Sequence, residues 1–336
     1  MIRVGLLGVG FIGATHAACY KNVAGARLVA VADVNREAAD RLAAEHGTRA
    51  YYAVEPLLED QEVDAVDVCL PTFLHEQAVV RAAEAGKHIL CEKPIARSLD
   101  EVDHMIEAVH RAGVQCMVAQ VVRFWPQYAA IKELLDTGQI GQPWMATASR
   151  LTSFPGWSTW FGDPALSGGA ILDLHIHDLD YVFYLFGRPE RVYAVGNADA
   201  SGAWNQVVTT LHYGDKAAVV EASFMMPPGF PFTAAFRLVG TLGCAEYRFR
   251  VGGQVDQRDV ATTEFTLYRP GQPPESPHCS DKDPYLAEIE YFIDCLMQGK
   301  RPEIATLEEA RTVLQIALAA RESLEHGRVV TDDPMS

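Results

Sequence analysis

The sequence predicts an α/β protein in two parts: an N-terminal, doubly wound parallel sheet, and a C-terminal α/β domain with a large, open, mostly antiparallel sheet. Three observations support this prediction. The 336 residues suffice for two domains, strand-like and helix-like segments alternate over the first 120 residues, and strand-like segments dominate much of the remainder. We place residues 1–122 in the first domain and residues 123–336 in the second.

The first domain contains short apolar segments separated by helix-like segments. Strands are predicted at Ile2–Leu7, Arg27–Asp33, Ala65–Leu70, His88–Cys91 and Gln115–Ala119. Helices are predicted at Arg36–His46, Thr72–Ala85 and Ser98–Arg111. Strands that alternate with helices of this length indicate βαβ units, and right-handed crossovers between them produce a doubly wound parallel sheet.

The second domain begins with a predicted helix, Trp125–Thr137, which ends at Gly138. The strand-like segments that follow are Pro143–Leu151, Arg191–Val195, Val207–Tyr213, Ala217–Ser223, Thr233–Val239, Ala245–Arg250 and Glu264–Tyr268. Turns rich in glycine and proline separate several of them, which is typical of an antiparallel sheet. Further helices are predicted at Ile171–Phe186, Pro284–Gln298 and Thr306–His326.

Composition excludes several classes of protein. Hydrophobic residues make up 49% and charged residues 21%, as in ordinary soluble domains. The formal net charge of −16, without a basic patch in the sequence, argues against nucleic acids and anionic membranes as partners. No apolar segment reaches the roughly 18 residues of a transmembrane helix. Glycines interrupt the apolar N-terminal segment, which argues against an export signal.

The cysteines indicate a reducing compartment. All 7 are scattered along the chain, none in a Cys-x-x-Cys arrangement, and several lie inside apolar segments. An odd number without paired spacing is not typical of a disulfide framework. We therefore expect a cytoplasmic protein.

A Gly-x-Gly-x-x-Gly motif follows the first predicted strand. Its glycines are Gly8, Gly10 and Gly13, with Phe11 and Ile12 between the last two. Because the motif also opens a helix inside a βαβ unit, the sequence predicts a Rossmann domain in which these residues bind the pyrophosphate of a dinucleotide. The alternative is a glycine-rich turn without a ligand.

The second predicted strand ends at Asp33, 20 residues after Gly13. An acid at this position accepts hydrogen bonds from ribose hydroxyls and repels a 2′-phosphate, so NAD is favoured over NADP as the cofactor. Val34 and Arg36 belong to the same predicted cofactor-binding segment, in which Arg36 would partly offset the repulsion. The alternative role of Asp33 is that of a helix cap.

The end of another predicted strand contributes Leu70, Pro71 and Thr72. Since loops at the carboxyl ends of parallel strands line the ligand crevice, these residues are predicted cofactor contacts. Thr72 has an alternative role as the cap of the following helix. His75 is a further candidate for cofactor binding, and its alternative is an ordinary position on a surface helix.

Glu92, Lys93 and Pro94 follow the predicted strand His88–Cys91. A lysine in the ligand crevice hydrogen-bonds a substrate hydroxyl and stabilises negative charge that develops on its oxygen. Glu92 and Lys93 are therefore candidate cofactor contacts, and Lys93 is a candidate catalytic residue. The alternative is a solvated Glu–Lys pair at the end of a strand.

The predicted helix Ile171–Phe186 carries a polar stripe beside its apolar one. Asp173 and His177 are four positions apart and therefore neighbours on one face. A carboxylate beside an imidazole raises its pKa and orients it for acid–base catalysis, although a polar pair without catalytic function is the alternative. On a helix His175 points away from His177, so no metal site is expected.

An aromatic cluster precedes this helix and consists of Trp157, Trp160 and Phe161. Packing in a core is the ordinary role of such a cluster. The alternative is a wall of the substrate pocket, with Trp160 as a candidate substrate contact.

These segments together resemble the glucose–fructose oxidoreductase / inositol dehydrogenase / rhizopine catabolism (Gfo/Idh/MocA) family of NAD(P)-dependent oxidoreductases. The resemblance lies in GLLGVGFIG, ADVN, CLPTFLH, AGKHILCEKPIA, VVRFWP, GGAILDLHIHDLDYVFYLFG and TLEEARTVLQIALAARESLEHGRVV. These segments span nearly the whole chain. The Glu-Lys-Pro and Asp-x-x-x-His elements also occur in the order and at the spacing of the family.

The resemblance implies catalytic roles for Lys93, Asp173 and His177, with the lysine contacting both cofactor and substrate. The implied reaction is hydride transfer between a nicotinamide and a secondary alcohol or ketone of a cyclic polyol or sugar. Arg123, beside Phe124, stands where the family often has a residue near the substrate. The resemblance further implies a homodimer or homotetramer that assembles through the C-terminal sheet.

One position departs from the pattern of the family. Two residues after the catalytic aspartate the family often has glycine, whereas this chain has His175. His175 is therefore a candidate contact to the substrate or to another subunit. Two other functions stay open as alternatives: a glycosidase that oxidises its substrate transiently with tightly bound NAD, and a non-enzymatic NAD sensor.

Overall fold

The computed structural model describes residues 1–154, 163–252 and 261–331. The chain forms two compact units, Met1–Phe124 with Lys282–Arg311, and Trp125–Asp281 with Thr312–Ser336. The change of unit after Phe124 lies close to the boundary expected from the sequence. However, residues 282–311, which were expected in the second domain, pack in the first unit.

The first unit contains a six-stranded, fully parallel sheet. Its strands are β1 (Ile2–Leu7), β2 (Ala26–Ala32), β3 (Arg49–Tyr51), β4 (Ala65–Val68), β5 (His88–Glu92) and β6 (Cys116–Ala119). The order β3-β2-β1-β4-β5-β6 confirms the doubly wound topology. In this order β1 and β4 are neighbours, and the crevice at their carboxyl ends is where such folds bind ligands.

The helices of the described chain are α1 (Phe11–Tyr20), α2 (Arg36–His46), α3 (Val54–Leu58), α4 (His75–Glu84), α5 (Leu99–Ala112), α6 (Pro126–Asp136), α7 (Pro164–Ser167), α8 (Ile176–Phe186), α9 (Pro284–Gln298) and α10 (Leu307–His326). Side-chain caps start several of them. Asn35 caps α2 by accepting the N–H of Ala38, and Ser98 caps α5 by accepting the N–H of Glu101 at 3.2 Å.

Helix α9 explains why a late segment belongs to the first unit. Its Phe292 and Ile293 are buried in the same apolar cluster as Leu6 of β1 and Val31 of β2. Helical periodicity identifies the apolar face of this helix but not the sheet that covers it. The assignment of residues 282–311 to the second domain was therefore wrong.

The second unit contains an eight-stranded sheet of order β13-β12-β11-β7-β10-β9-β8-β14. The strands are β7 (Pro143–Leu151), β8 (Arg191–Ala198), β9 (Trp204–His212), β10 (Ala217–Ser223), β11 (Phe232–Gly240), β12 (Cys244–Val251), β13 (Thr262–Tyr268) and β14 (Val330–Thr331). All neighbours pair antiparallel except β7 and β10, which run parallel. The predicted mostly antiparallel sheet is confirmed.

The segment predicted as one helix from Ile171 to Phe186 has two parts. Ile171–His175 forms a π-helical turn, and the α-helix begins only at Ile176. A π turn has an extra residue per hydrogen-bonded ring, which shifts the faces of the helix relative to a continuous 3.6-residue period. The candidate residue Asp173 lies inside this turn, and His177 lies at the start of α8.

Buried polar contacts fix α8 on strand β7 and on helix α6 of its unit. The Arg150 guanidinium of β7 donates two hydrogen bonds to the Asp178 carboxylate, at 2.9 and 3.0 Å. Burial raises the pKa of the Asp178 carboxyl, and Arg150 opposes this shift. The Tyr181 hydroxyl donates to the Tyr128 carbonyl at 2.6 Å. Since both contacts lie within one turn of His177, they restrict the direction in which its helix presents it.

Within the described ranges, none of the helices combines the length and the apolar character needed to cross a membrane.

Candidate active site

The glycine motif forms the turn between β1 and α1, and each glycine has a different environment. A Cβ on Gly13 would lie 2.0 Å from the carbonyl oxygen of Gly8, and one on Gly8 2.5 Å from that of Cys69. Gly8 also has a φ of +91°. By contrast, a Cβ on Gly10 would meet nothing within 4 Å. Two glycines therefore permit close packing, and the third leaves open space in front of the backbone.

That open space lies at the beginning of α1. Gly10 is the N-cap of this helix and provides no side chain for its first N–H groups. Helix N-termini of this kind bind phosphate through backbone N–H groups and the helix dipole. The turn thus fits the pyrophosphate of a dinucleotide, since a side chain at Gly10 would fill the space that the phosphates need.

Asp33 lies beside this turn, directly after β2. Its carboxylate accepts the N–H of Val9 at 2.9 Å and the N–H of Asn35 at 2.8 Å. Because Asn35 rather than Asp33 caps α2, the alternative role of Asp33 as a helix cap is wrong. Asp33 holds the glycine turn against the end of β2 and keeps an acceptor group at the position expected for ribose recognition.

The neighbours of Asp33 offer an exposed, partly apolar surface. Val34 is 87% exposed and Phe11 is 59% exposed. The Arg36 guanidinium lies 4.7 Å from the ring centroid of Tyr52, in a cation–π contact. The contact holds the Arg36 guanidinium on the Tyr52 ring and leaves its positive charge intact.

The loop after β4 is held by His75. Its Nε2 lies 2.7 Å from the Leu70 carbonyl oxygen and its Nδ1 lies 2.9 Å from the Pro94 carbonyl oxygen. His75 is buried, and burial lowers its pKa. The surface-helix interpretation of His75 is therefore wrong, because its ring connects the loops after β4 and β5. Thr72 is buried in a 3-10 turn and does not cap α4.

Glu92 and Lys93 stand where β5 ends, at the same edge of the sheet as the glycine turn. Glu92 is buried, and one of its carboxylate oxygens accepts the backbone N–H of Lys93 at 3.0 Å. The following Lys93–Pro94 peptide bond is cis. The alternative of a solvated Glu–Lys pair is wrong for Glu92, which instead fixes the backbone at Lys93.

A buried histidine that was not among the predicted site residues lies behind this turn. His16 of α1 places Nδ1 2.9 Å from Asp67 and Nε2 3.3 Å from Glu92 and 3.9 Å from Glu288. Burial opposes the charged imidazole, but the contacts with Asp67 and Cys69 together outweigh burial, and the pKa of His16 is raised. The available signal was Asp67, an acid in the middle of an otherwise apolar strand.

In the second unit Asp173 and His177 are both half-buried, whereas His175 is fully buried. His175 Nε2 lies 2.8 Å from the Thr209 hydroxyl of β9. A substrate or subunit contact through His175 is therefore not supported, because its ring faces the sheet. In the described part of the chain, the clusters with metal-ligand geometry all contain His16, and none contains His175 or His177.

Two other residues, Arg123 and Trp160, were predicted to contact the substrate. Arg123 is buried, and its guanidinium donates to Glu309 at 2.7 Å. A substrate contact through Arg123 is not supported, since this ion pair occupies it inside the first unit. Trp160 lies outside the described residues, as do Trp157 and Phe161.

A doubly wound sheet with this glycine turn and an acid after β2 defines a dinucleotide-binding protein. Comparison with known proteins narrows the class. Residues 2–120 match the model of an oxidoreductase family with an NAD-binding Rossmann fold, and residues 128–246 match the GFO/IDH/MocA C-terminal domain. The chain belongs to the Gfo/Idh/MocA family.

Curated relatives cover nearly the whole chain. Myo-inositol 2-dehydrogenase of Thermotoga maritima is 30% identical over 98% of both chains. Scyllo-inositol 2-dehydrogenase (NAD(+)) of Bacillus subtilis is 31% identical over 99% of this chain and 96% of its own. A solved structure, UDP-N-acetylglucosamine 3-dehydrogenase of Acidithiobacillus ferrooxidans, is 29% identical with a TM-score of 0.80, covering 96% of this chain and 98% of its own.

These comparisons confirm the expected family, fold, cofactor and class of activity. The protein is an NAD-dependent oxidoreductase that acts on CH–OH groups. The alternatives of an NAD-dependent glycosidase and a non-enzymatic sensor are not favoured, because these two relatives, similar over nearly the whole chain, are named as dehydrogenases.

Proposed function

We propose that the protein oxidises a secondary alcohol of a cyclic polyol or sugar, or reduces the corresponding ketone, in the manner of an inositol dehydrogenase. The observation that carries this proposal is the similarity over the full length to two inositol 2-dehydrogenases. Polar, half-buried candidates in the chain, namely Lys93, Asp173 and His177, suit a substrate made mostly of hydroxyl groups.

In the proposed mechanism, His177 accepts the proton of the reacting hydroxyl as a general base. Lys93 donates a hydrogen bond to the same oxygen and stabilises its developing negative charge. Asp173 orients His177 and favours its protonated form. Bound NAD supplies the hydride acceptor. Ordered placement of the alcohol is itself worth roughly 7–11 kcal/mol of the barrier, so binding groups matter as much as the base.

The dinucleotide site is assigned to residues at the carboxyl ends of β1, β2, β4 and β5. We propose Gly8, Gly10, Phe11, Ile12, Gly13, Asp33, Val34, Arg36, Leu70, Pro71, Thr72, Glu92 and Lys93 as cofactor-binding residues, with His75 supporting the loops. The Asp33 carboxylate favours NAD over NADP, because it would repel a 2′-phosphate.

Assembly and location are part of the same proposal. We expect a homodimer or homotetramer through the eight-stranded sheet, where Tyr193 and Val195 on one face of β8 are exposed apolar side chains. We also expect a cytoplasmic location, because all seven cysteines are free thiols and most are buried.

The test is a panel of inositols, aldoses and their keto forms, assayed with NAD(H) and NADP(H) by the absorbance of the reduced nicotinamide. Turnover with a cyclic polyol or sugar and NAD supports the proposal and names the substrate. Turnover only with acyclic alcohols, or only with NADP, would contradict the substrate class or the cofactor preference. Light scattering on the same sample tests the oligomeric state.

A further inference from the structure

Four acidic or basic side chains from four elements meet inside the first unit, directly behind the turn that carries Lys93. They are His16 of α1, Asp67 of β4, Glu92 of β5 and Glu288 of α9. All four are buried. Burial of several ionisable groups together is unfavourable to the free energy of folding unless each charge is compensated. The question is therefore how each charge in this cluster is compensated.

One side of this cluster is fully bonded. The Asp67 carboxylate accepts the Tyr20 hydroxyl at 2.9 Å and lies 2.9 Å from His16 Nδ1. The thiol of Cys69 also donates to it, at 3.4 Å. Three donors therefore point at the Asp67 carboxylate, and His16 directs a protonated Nδ1 toward it.

The other side of the cluster holds Glu92. Its Oε2 accepts the N–H of Lys93 at 3.0 Å, and its Oε1 lies 3.3 Å from His16 Nε2. A charged His16 therefore links Asp67 to Glu92, and Glu92 in turn holds the backbone of Lys93. The position of the lysine is connected to the core through this chain of contacts.

Glu288 is buried in the same cluster but takes no part in this chain of contacts. Its side chain has no solvent exposure, and neither carboxylate oxygen makes a hydrogen bond within the described residues. Its Oε1 lies 3.9 Å from His16 Nε2 and within 4.8 Å of a Glu92 oxygen. Burial raises the pKa of Glu288, and the nearby Glu92 carboxylate raises it further, although His16 opposes both.

We propose that Glu288 is a positioning residue: a neutral carboxylic acid that donates its proton in a hydrogen bond to the Glu92 carboxylate, directly after a rotamer adjustment or through one water molecule. This contact holds the Glu92 carboxylate at a third point and so fixes the turn of Lys93. The inference rests on the proposed catalytic role of Lys93. A neutral Glu288 also leaves the buried cluster with fewer uncompensated charges.

A bound divalent cation is the competing account of the same atoms. His16 Nε2, Glu92 and Glu288 present three ligand atoms within 4.8 Å of one another. We favour the proton because a protonated imidazole cannot ligate a metal ion, and His16 is ion-paired with both Asp67 and Glu92, which favour its protonated form. Elemental analysis of the purified protein decides between them, and stoichiometric metal that is lost in Glu288→Gln would overturn the proposal.

The decisive variants are Glu288→Gln and Glu288→Leu. The amide of glutamine retains a donor without a charge, whereas leucine retains only the volume. We expect Glu288→Gln to keep kcat within about 3-fold and Glu288→Leu to lower it by about 10- to 100-fold, with a Kd for NAD within about 3-fold of the wild type in both. Equal losses in the two variants, or none in the leucine variant, would contradict the assignment.

Glu290 provides the matched control on the same helix. It is ion-paired with Lys282 away from the buried cluster. Glu290→Gln and Glu290→Leu should leave kcat and the pH dependence of stability as they are in the wild type. A loss of kcat in Glu290→Leu comparable to that in Glu288→Leu would show that the effect is a general one of α9.

A second measurement needs neither substrate nor cofactor. The titratable groups around Glu288 are His16 and Cys19 from α1, Asp67 from β4, Glu92 from β5, and Asp283 and Tyr285 from the start of α9. A carboxyl that stays protonated only in the folded state makes the protein less stable as pH rises above the unfolded pKa of about 4.3. Glu288→Gln removes this titrating proton. The melting temperature of the variant minus that of the wild type should therefore increase as pH rises.

Between pH 5 and pH 7 we expect this difference in melting temperature to increase by about 2 °C per pH unit for a chain of this size. A difference in melting temperature that does not change with pH would overturn the neutral state of Glu288, even if the leucine variant does not fold. Because the melting temperature involves no catalysis, this test of a neutral Glu288 remains valid even if Lys93→Ala is fully active. That result would refute the proposed role of Lys93 instead.

Discussion

His175 Nε2 lies 2.8 Å from the Thr209 hydroxyl, and the histidine ring has no exposure to solvent. This contact joins the π turn before α8 to strand β9 of the same unit. It also explains how a ring is accommodated where the family often has glycine: the side chain points into the unit rather than toward a ligand. The departure from the family pattern is therefore a matter of packing within the second unit.

The burial of His175 makes stability sensitive to acid. Burial lowers its pKa to about 3, whereas an unfolded histidine titrates near 6.5. Between these values only the unfolded state binds the proton, so stability falls as pH decreases below about 6.5, by roughly 1 kcal/mol per pH unit. The melting temperature of His175→Gln should therefore fall less steeply than that of the wild type as pH decreases below about 6.5. Parallel curves for the variant and the wild type would contradict a neutral, buried His175.

Lys93 and His177 should affect turnover far more than cofactor binding. Lys93→Ala removes a hydrogen bond to the reacting oxygen and His177→Ala removes the base, so each should lower kcat by about 10²- to 10⁴-fold. Isothermal titration should give an unchanged Kd for NAD in His177→Ala and a Kd raised by no more than about 3-fold in Lys93→Ala, since Lys93 is one of many proposed cofactor contacts. Lys132→Ala, which removes a half-buried lysine paired with Asp136, is the matched control. Equal losses of NAD affinity and turnover would refute the role assignment.

The glycine motif predicts two opposite outcomes of adding a methyl group. In Gly13→Ala the new Cβ would lie 2.0 Å from the Gly8 carbonyl oxygen, so the turn must move and the melting temperature should fall. In Gly10→Ala nothing lies within 4 Å, so stability should be retained. NAD affinity should nevertheless fall by about 10-fold or more, because the methyl group occupies space for the phosphates. Unchanged NAD binding in a folded Gly10→Ala would place the cofactor elsewhere.

Asp33 is expected to determine the choice of dinucleotide. Asp33→Asn removes the charge that repels a 2′-phosphate and weakens the acceptor for ribose hydroxyls, so the preference for NAD over NADP should decrease by about 10-fold or more. The ratio of kcat/KM for the two cofactors measures this. Glu37→Gln changes an acid in the first turn of α2 and serves as the control. An unaltered ratio in Asp33→Asn would exclude this role.

Local patterns in the sequence were sufficient for much of the fold. Alternating strand and helix signals predicted the doubly wound sheet, and closely spaced strands predicted the antiparallel one. The short elements β3, α3 and β14 went unpredicted, because they comprise three, five and two residues and carry too little pattern. The π turn at Ile171–His175 was also missed, since its apolar residues mimic the period of an α-helix.

Sequence by itself determined the glycine turn, the acid after β2, the Lys93 turn and the family, because these depend on neighbouring residues and their spacing. Only the tertiary structure decided that α9 packs in the first unit, that Arg123 and His175 are buried, and that His16 meets Glu92 and Glu288. The physical reason is that periodicity reports which face of an element is covered, whereas the partner of a buried charge comes from a distant part of the chain.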